Sequence, residues 1–107
     1  MCIRDRYKFK PKLDFERITK IKNAIGIPLV LHGGTGITPD DFVRCSHTGI
    51  KKINIATATF DSVEHTVKDA YKNDKISGYY DLQAAEVEGA YQNAKRHILI
   101  FGTDNKA

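Results

Sequence analysis

The stretch "PLVLHGGTGI", residues 28–37, decides how this sequence is read. Pro28 opens a short apolar run that stops on His32, and His32 leads straight into Gly33, Gly34, Thr35 and Gly36. A run of this length between punctuating residues has the dimensions of a buried strand rather than a helix. The glycines that follow read as a loop. On its N-terminal side, "LDFERITKIKNAIG" predicts a helix capped by Asp14, with Phe15, Ile18, Ile21 and Ile25 at helical spacing and Gly26 as the stop. On its C-terminal side, Thr38, Pro39 and Asp41 form an acidic capping arrangement for a second helix that ends at Gly49.

A second strand is predicted over "IKKINIAT", residues 50–57. The next helix, "ATFDSVEHTVKDAYKN", carries Phe60, Val63, Val67 and Ala70 on one face. After a turn near "KISGYY", a last helix is expected from about Asp81 to Phe101, with Ala84, Val87, Tyr91, Ala94, Ile98 and Phe101 as its apolar stripe. Strands alternating with helices at this spacing indicate parallel βαβ units. Two near-continuous apolar strands cannot cover their own faces and edges. The fold class is therefore α/β, and the chain reads as part of a larger sheet or barrel.

Side chains alternate along a strand. Leu29 and Leu31 share one face, Val30 and His32 the other; in the second strand Ile53 and Ile55 oppose Asn54 and Ala56. With the aliphatic faces on the helices, His32 and Asn54 point the same way at the C-terminal strand ends. In a barrel of parallel strands, that end is the mouth where reactive groups collect. Glycines let backbone N–H groups approach an anion, and a helix N-terminus adds favourable partial charge. A lone histidine at a strand end is more often structural than ligating, and glycine after a strand is usually turn chemistry. The pairing of the two loops across one βαβ unit is what favours an anion site. "HGG" also occurs in the oxyanion loop of esterases, but no G-x-S-x-G elbow accompanies it.

The 107 residues allow one small domain with a modest core. Apolar residues make up 41% and charged residues 28%, ordinary values for a soluble globular protein. The net charge of +4 fits a nucleic-acid-binding tail and a site for a phosphorylated small molecule equally well, but no aromatic-interleaved basic stripe or reading-helix motif supports nucleic-acid binding. No apolar run approaches the ~20 residues of a membrane span, and no secretory h-region follows the N-terminus, so a cytoplasmic location is expected. Cys2 and Cys45 make no disulfide framework; Cys45 reads as a small buried hydrophobe. His47 is expected to interact with a helix end. His65 and His97 are expected at helix surfaces, and Asp40–Asp41 is read as capping rather than an acid/base pair.

Together, "YKFKPKLDFERI", "IPLVLHGGTGI", "GIKKINIAT" and the closing "FGTDNKA" resemble the C-terminal part of the class II, zinc-dependent ketose-bisphosphate aldolases. The resemblance runs from about Tyr7 to Ala107 and is strongest at residues 27–37 and 49–57. It implies the C-terminal portion of a (β/α)₈ barrel, with this chain supplying about two parallel strands, their helices and a C-terminal helix. It also implies that His32 ligates a catalytic zinc ion (Zn2+). By the same resemblance Gly33, Gly34 and Thr35 hold a substrate phosphate, and Asn54, Ala56 and Thr57 contact the dihydroxyacetone phosphate part of a phosphorylated ketose. The family's further zinc ligands and its aspartate acid/base lie upstream, so no catalytic residue is assigned within this chain. Intact family members are expected to be homo-oligomers.

Two departures from the family pattern stand out. Residues 1–6, "MCIRDR", stand where the family has a "G-T-x-H-G" string, and they read as a non-native leader before an aldolase portion at 7–107. Ala58 stands where an acidic residue usually follows the threonine, which leaves the sugar preference open. The rival expectation is a non-catalytic phosphate-binding or interaction module.

Overall fold

The computed structural model of the chain describes residues 11–105. In chain order it contains α1 (Phe15–Ile25), β1 (Leu29–Leu31), α2 (Pro39–His47), β2 (Ile50–Ile53), α3 (Thr57–Lys72) and α4 (Tyr79–Phe101). The leader assignment for residues 1–6, and Tyr7, lie outside the described residues.

The capping chemistry appears as the sequence requires. The Asp14 carboxylate accepts the N–H of Arg17 at 2.9 Å, and Gly26 closes α1 in the left-handed conformation at φ 67°. Thr38 accepts the N–H of Asp41 at 3.2 Å, and Pro39 occupies the first turn of α2, where its missing N–H costs nothing. Both strands are shorter than expected. Pro28 remains outside β1, and His32, Asn54, Ile55 and Ala56 leave the strands for the loops. The last helix starts two residues earlier than expected, at Tyr79, after the extended Gly78.

β1 and β2 are parallel neighbours. Leu29 pairs with Ile50, but Val30 pairs with Lys52 and Leu31 with Ile53, so the second strand carries one extra residue. This bulge has a packing cause. Ile50 is buried and Ile53 half-buried, and strict alternation over three positions would put them on opposite faces. The extra residue restores both to the helix side.

The core is small: Phe42, Cys45 and Ile50 are the buried hydrophobic residues among those described. Phe42 sits edge-on against Phe101 and His97, with ring centroids 5.2 and 5.8 Å away. The Arg44 guanidinium lies 3.9 Å above the Phe15 ring, tying α2 to the start of α1. The longest helix contact is between α3 and α4. At its centre the Ser62 hydroxyl donates to the Gly89 carbonyl at 2.8 Å, and the Asn93 amide donates to Thr59 Oγ1 at 2.9 Å. Gly89 is buried because no side chain fits there. The apolar stripe expected on the last helix turns away from this contact. Val87, Tyr91 and Ile98 are exposed, whereas the aromatic end of the stripe, Phe101, packs on Phe42.

Cys45 is fully buried. Desolvation raises its thiol pKa above the usual value, the nearby Asp41 adds to this, and Arg44 opposes it. The thiol is therefore expected to resist iodoacetamide in the folded chain and to react once urea unfolds it. Labelling of Cys45 without denaturant at the unfolded-state rate would show that this core does not form.

Candidate functional site

The site grows from the ends of β1 and β2. Asn54 N–H donates to the Leu31 carbonyl at 2.9 Å, and Gly34 N–H donates to the Asn54 carbonyl at 3.3 Å. The two strand ends are thus stitched together just past the ladder. The register shift then brings the residues after Leu31 and Ile53 side by side, and Asn54 Nδ2 lies 3.1 Å from His32 Nδ1. His32 is exposed and Asn54 half-buried. An exposed imidazole held by a side-chain amide is an oriented ring, with the Asn54 Nδ2 donating toward Nδ1.

The glycine loop has two jobs that no other residue type performs here. Gly33 and Gly36 take φ of 70° and 85°. Gly34 is buried, and a Cβ there would approach Ile55 Cγ1 at 3.1 Å and the Phe42 ring at 3.3 Å. The loop is therefore pressed onto the core below it, which fixes its height relative to His32.

Thr35 is placed by its hydroxyl, which accepts the N–H of Ala58 at 3.1 Å. Ala56, the N-cap of α3, supplies no side-chain cap, so Thr35 from the preceding loop satisfies one of the first-turn donors of α3. A threonine hydroxyl that accepts one bond still has a proton to donate. Gly34 is placed differently: its N–H is spent on the Asn54 carbonyl, so an anion would have to compete for it. Thr57 opens α3 and Ala56 is exposed beside it, so both sit at the positive end of the helix dipole. His32, the glycine loop, Asn54, Ala56 and Thr57 are thus brought to one end of the sheet.

A zinc ion asks for several protein donors. The described residues contain no group of three or more histidine, cysteine or carboxylate side chains able to hold a metal. His32 is the residue type of one such ligand, with the Asn54 amide nitrogen at hydrogen-bond distance from its Nδ1.

A cavity of about 700 Å³ lies behind the glycine loop and does not include His32 or Asn54. Thr35 and Gly36 line one end, with Asp61, His65, Arg96 and His97 further along. Sequence reading put His65 and His97 at helix surfaces. His65 is exposed, but His97 is half-buried between Phe42 and Phe101, with Nδ1 2.8 Å from the Asn93 carbonyl. The turn-by-turn spacing of Asn93, His97 and Phe101 was the available signal, and it was outweighed by the stronger apolar stripe on the other side of α4.

The comparisons with known proteins agree with this arrangement. A family model described as "Fructose-bisphosphate aldolase class-II" matches residues 3–106. The fructose-bisphosphate aldolase of Staphylococcus aureus (strain Mu50) is 38% identical over 104 residues, covering 94% of this chain and 36% of that protein. A Staphylococcus epidermidis protein of the same name is 36% identical over 104 residues. The X-ray structure of the YdjI aldolase from Escherichia coli K12 superposes with a TM-score of 0.81 at 32% identity, over 91% of this chain and 36% of that one. The chain thus spans little more than a third of the length of the relatives it matches. No helix of the described residues is long and apolar enough to cross a membrane. With the strand–histidine–glycine–helix order, the register and the superposition all in agreement, the chain belongs to the class II fructose-bisphosphate aldolase family.

Proposed function

We propose that this chain is the C-terminal part of a zinc-dependent aldolase barrel. In that reading it supplies one zinc ligand and the phosphate-binding loops for the reversible cleavage of a ketose 1,6-bisphosphate to dihydroxyacetone phosphate and glyceraldehyde 3-phosphate. The observation that carries the reading is the pair His32–Asn54, 3.1 Å apart, at the same strand ends as the glycine loop and the first turn of α3.

A zinc ion held by His32 and ligands from outside the described residues supplies Lewis acidity toward a ketone oxygen. The chain's own residues do the rest of what is assigned to them. His32 must be neutral to ligate, and the Asn54 amide holds its ring in one orientation. Gly33 and Gly36, by their positive φ, turn the backbone so that Thr35 reaches the start of α3. The remaining proton of the Thr35 hydroxyl and the positive end of the α3 dipole then favour a phosphate. Asn54, Ala56 and Thr57 border the dihydroxyacetone phosphate part. The acid/base aspartate is assigned to the upstream barrel, and the whole is a cytoplasmic, water-soluble enzyme.

Among the described residues the Thr35 hydroxyl and the first turn of α3 lie together, whereas no group of three or more metal-ligating side chains is found. That observation favours a second reading, a phosphate-binding module without catalysis. One experiment separates them. Residues 11–105 are exchanged for the matching C-terminal third of the S. aureus aldolase, and fructose-bisphosphate cleavage is assayed with zinc. Turnover in the hybrid, with none in the isolated chain, supports the aldolase reading. A folded hybrid that binds dihydroxyacetone phosphate but cleaves nothing supports the module.

A further inference from the structure

Among the described residues Phe42 is the buried aromatic side chain, at 3% exposure, and it stands where α2, α4 and the glycine loop meet. The backbone of α2 fixes its Cα, but the outer edge of the ring can swing about χ1 and χ2 unless neighbours hold it. That outer edge, Cε1 and Cζ, is the part against Gly34: a Cβ at position 34 would lie 3.3 Å from each atom. Wherever the ring edge settles, the loop must follow, because a close-packed contact leaves no gap to absorb a shift.

What holds the ring comes from the end of the last helix. Phe101 meets it edge-on, with centroids 5.2 Å apart and planes at 76°, and His97 does the same from one turn earlier at 5.8 Å. Aromatic pairs of this kind are directional, so they fix the ring's tilt as well as bury it. Phe101 is itself held. It is the last residue of α4, and beyond it Gly102 turns left-handed. The Gly102 N–H donates to the Leu99 carbonyl at 3.1 Å and the Thr103 N–H to the Ile98 carbonyl at 3.2 Å. That closed end keeps the last turn, and Phe101 with it, from fraying. On the other side of the contact, Gly34 leads into the site. Its N–H donates to the Asn54 carbonyl, and the next residue, Thr35, sets its hydroxyl on the Ala58 N–H at the start of α3.

We propose that Phe101 is a positioning residue for the phosphate loop: it holds the Phe42 ring at the tilt that sets the height of Gly34, and with it the Thr35 hydroxyl. The consequence for turnover rests on the aldolase reading above; the link from Phe101 to Gly34 does not.

Amide hydrogen exchange in the full chain, followed by NMR, compares Gly34 with Asn93, which is buried two turns earlier in α4. Phe101→Ala should speed exchange at Gly34 by about tenfold or more while Asn93 changes little. Phe101→Leu, which keeps a bulky apolar side chain beside Phe42, should return most of the protection. In the hybrid barrel Phe101→Ala should raise KM for fructose bisphosphate about tenfold with kcat changed far less, because a displaced loop weakens phosphate binding and leaves the metal in place. Circular dichroism checks every variant, and Phe101→Val takes the place of Phe101→Ala if the latter unfolds. Equal acceleration at Gly34 and Asn93, an unprotected Gly34 in the parent chain, or a fall in kcat with KM unchanged overturns the proposal and leaves Phe101 as core packing. A parent hybrid without turnover counts against the aldolase reading, and the exchange comparison then decides the role of Phe101.

Discussion

Alanine in place of His32, in the hybrid barrel built with the S. aureus aldolase, is expected to abolish most fructose-bisphosphate cleavage. Loss of an outer partner of a metal ligand commonly costs 10- to 100-fold in affinity or activity, so loss of the ligand itself should cost about a hundredfold or more in kcat/KM. The zinc content of the purified variant should fall in parallel, which separates a ligand from a substrate contact. Asn54→Ala is the informative companion. Asn54 Nδ2 lies 3.1 Å from His32 Nδ1, while the Asn54 backbone N–H and carbonyl tie β1 to the glycine loop. The side-chain truncation spares those backbone bonds and removes the ring's hydrogen-bond partner together with the substrate contact assigned to Asn54. Its expected cost is about tenfold or more, with zinc retained at saturating metal. Full activity and full zinc content in His32→Ala would remove this residue from the metal site.

The second large effect is on stability. Gly89→Ala should destabilise the chain, although alanine improves helix propensity by about 1 kcal/mol over glycine. A Cβ at position 89 would stand 2.7 Å from Val63 Cα and 3.0 Å from both the Ser62 carbonyl oxygen and Thr66 Oγ1. The Thr66 hydroxyl can rotate aside, but the backbone of α3 cannot, so the two helices must separate. Separation stretches the Ser62 and Asn93 hydrogen bonds that lock the crossing. Overpacking of this kind costs about 1–3 kcal/mol, enough to reverse the sign of the propensity gain. Urea denaturation followed by circular dichroism reads the difference, with Ala94→Gly as the control at an exposed position of the same helix. Ala94→Gly should lose only the propensity term. A Gly89→Ala variant with a raised denaturation midpoint would show that α3 and α4 do not cross this closely.

Much of the local structure was legible because it rests on short-range chemistry. Asp14, Gly26, Thr38 and Pro39 act within a turn of themselves, so their roles as caps and stops follow from residue type. The shared direction of His32 and Asn54 followed from alternation along two short strands. The loop glycines were legible as turn residues, although the reason Gly34 must be glycine, its contact with Ile55 and Phe42, was not.

The exposed stripe of α4 shows where reading by period stops. The strongest apolar period in that helix marks a face, but period alone does not say which partner the face meets. Within this chain the partner of α3 is the weaker side, carrying Ala85, Gly89 and Asn93, because small residues let the two backbones approach. His97 followed that side into the aromatic cluster with Phe42 and Phe101.

By itself the sequence determined the element order, the caps, the family, and the placement of a histidine and a glycine turn at a strand end. Each of those depends on residue identity or on neighbours a few positions away. Only the tertiary structure decided the register. The extra residue in β2 keeps both Ile50 and Ile53 on the helix side, and so moves Asn54 rather than Ile53 beside His32. That choice is made by burial across two strands and a helix, a balance that no single stretch of the chain contains.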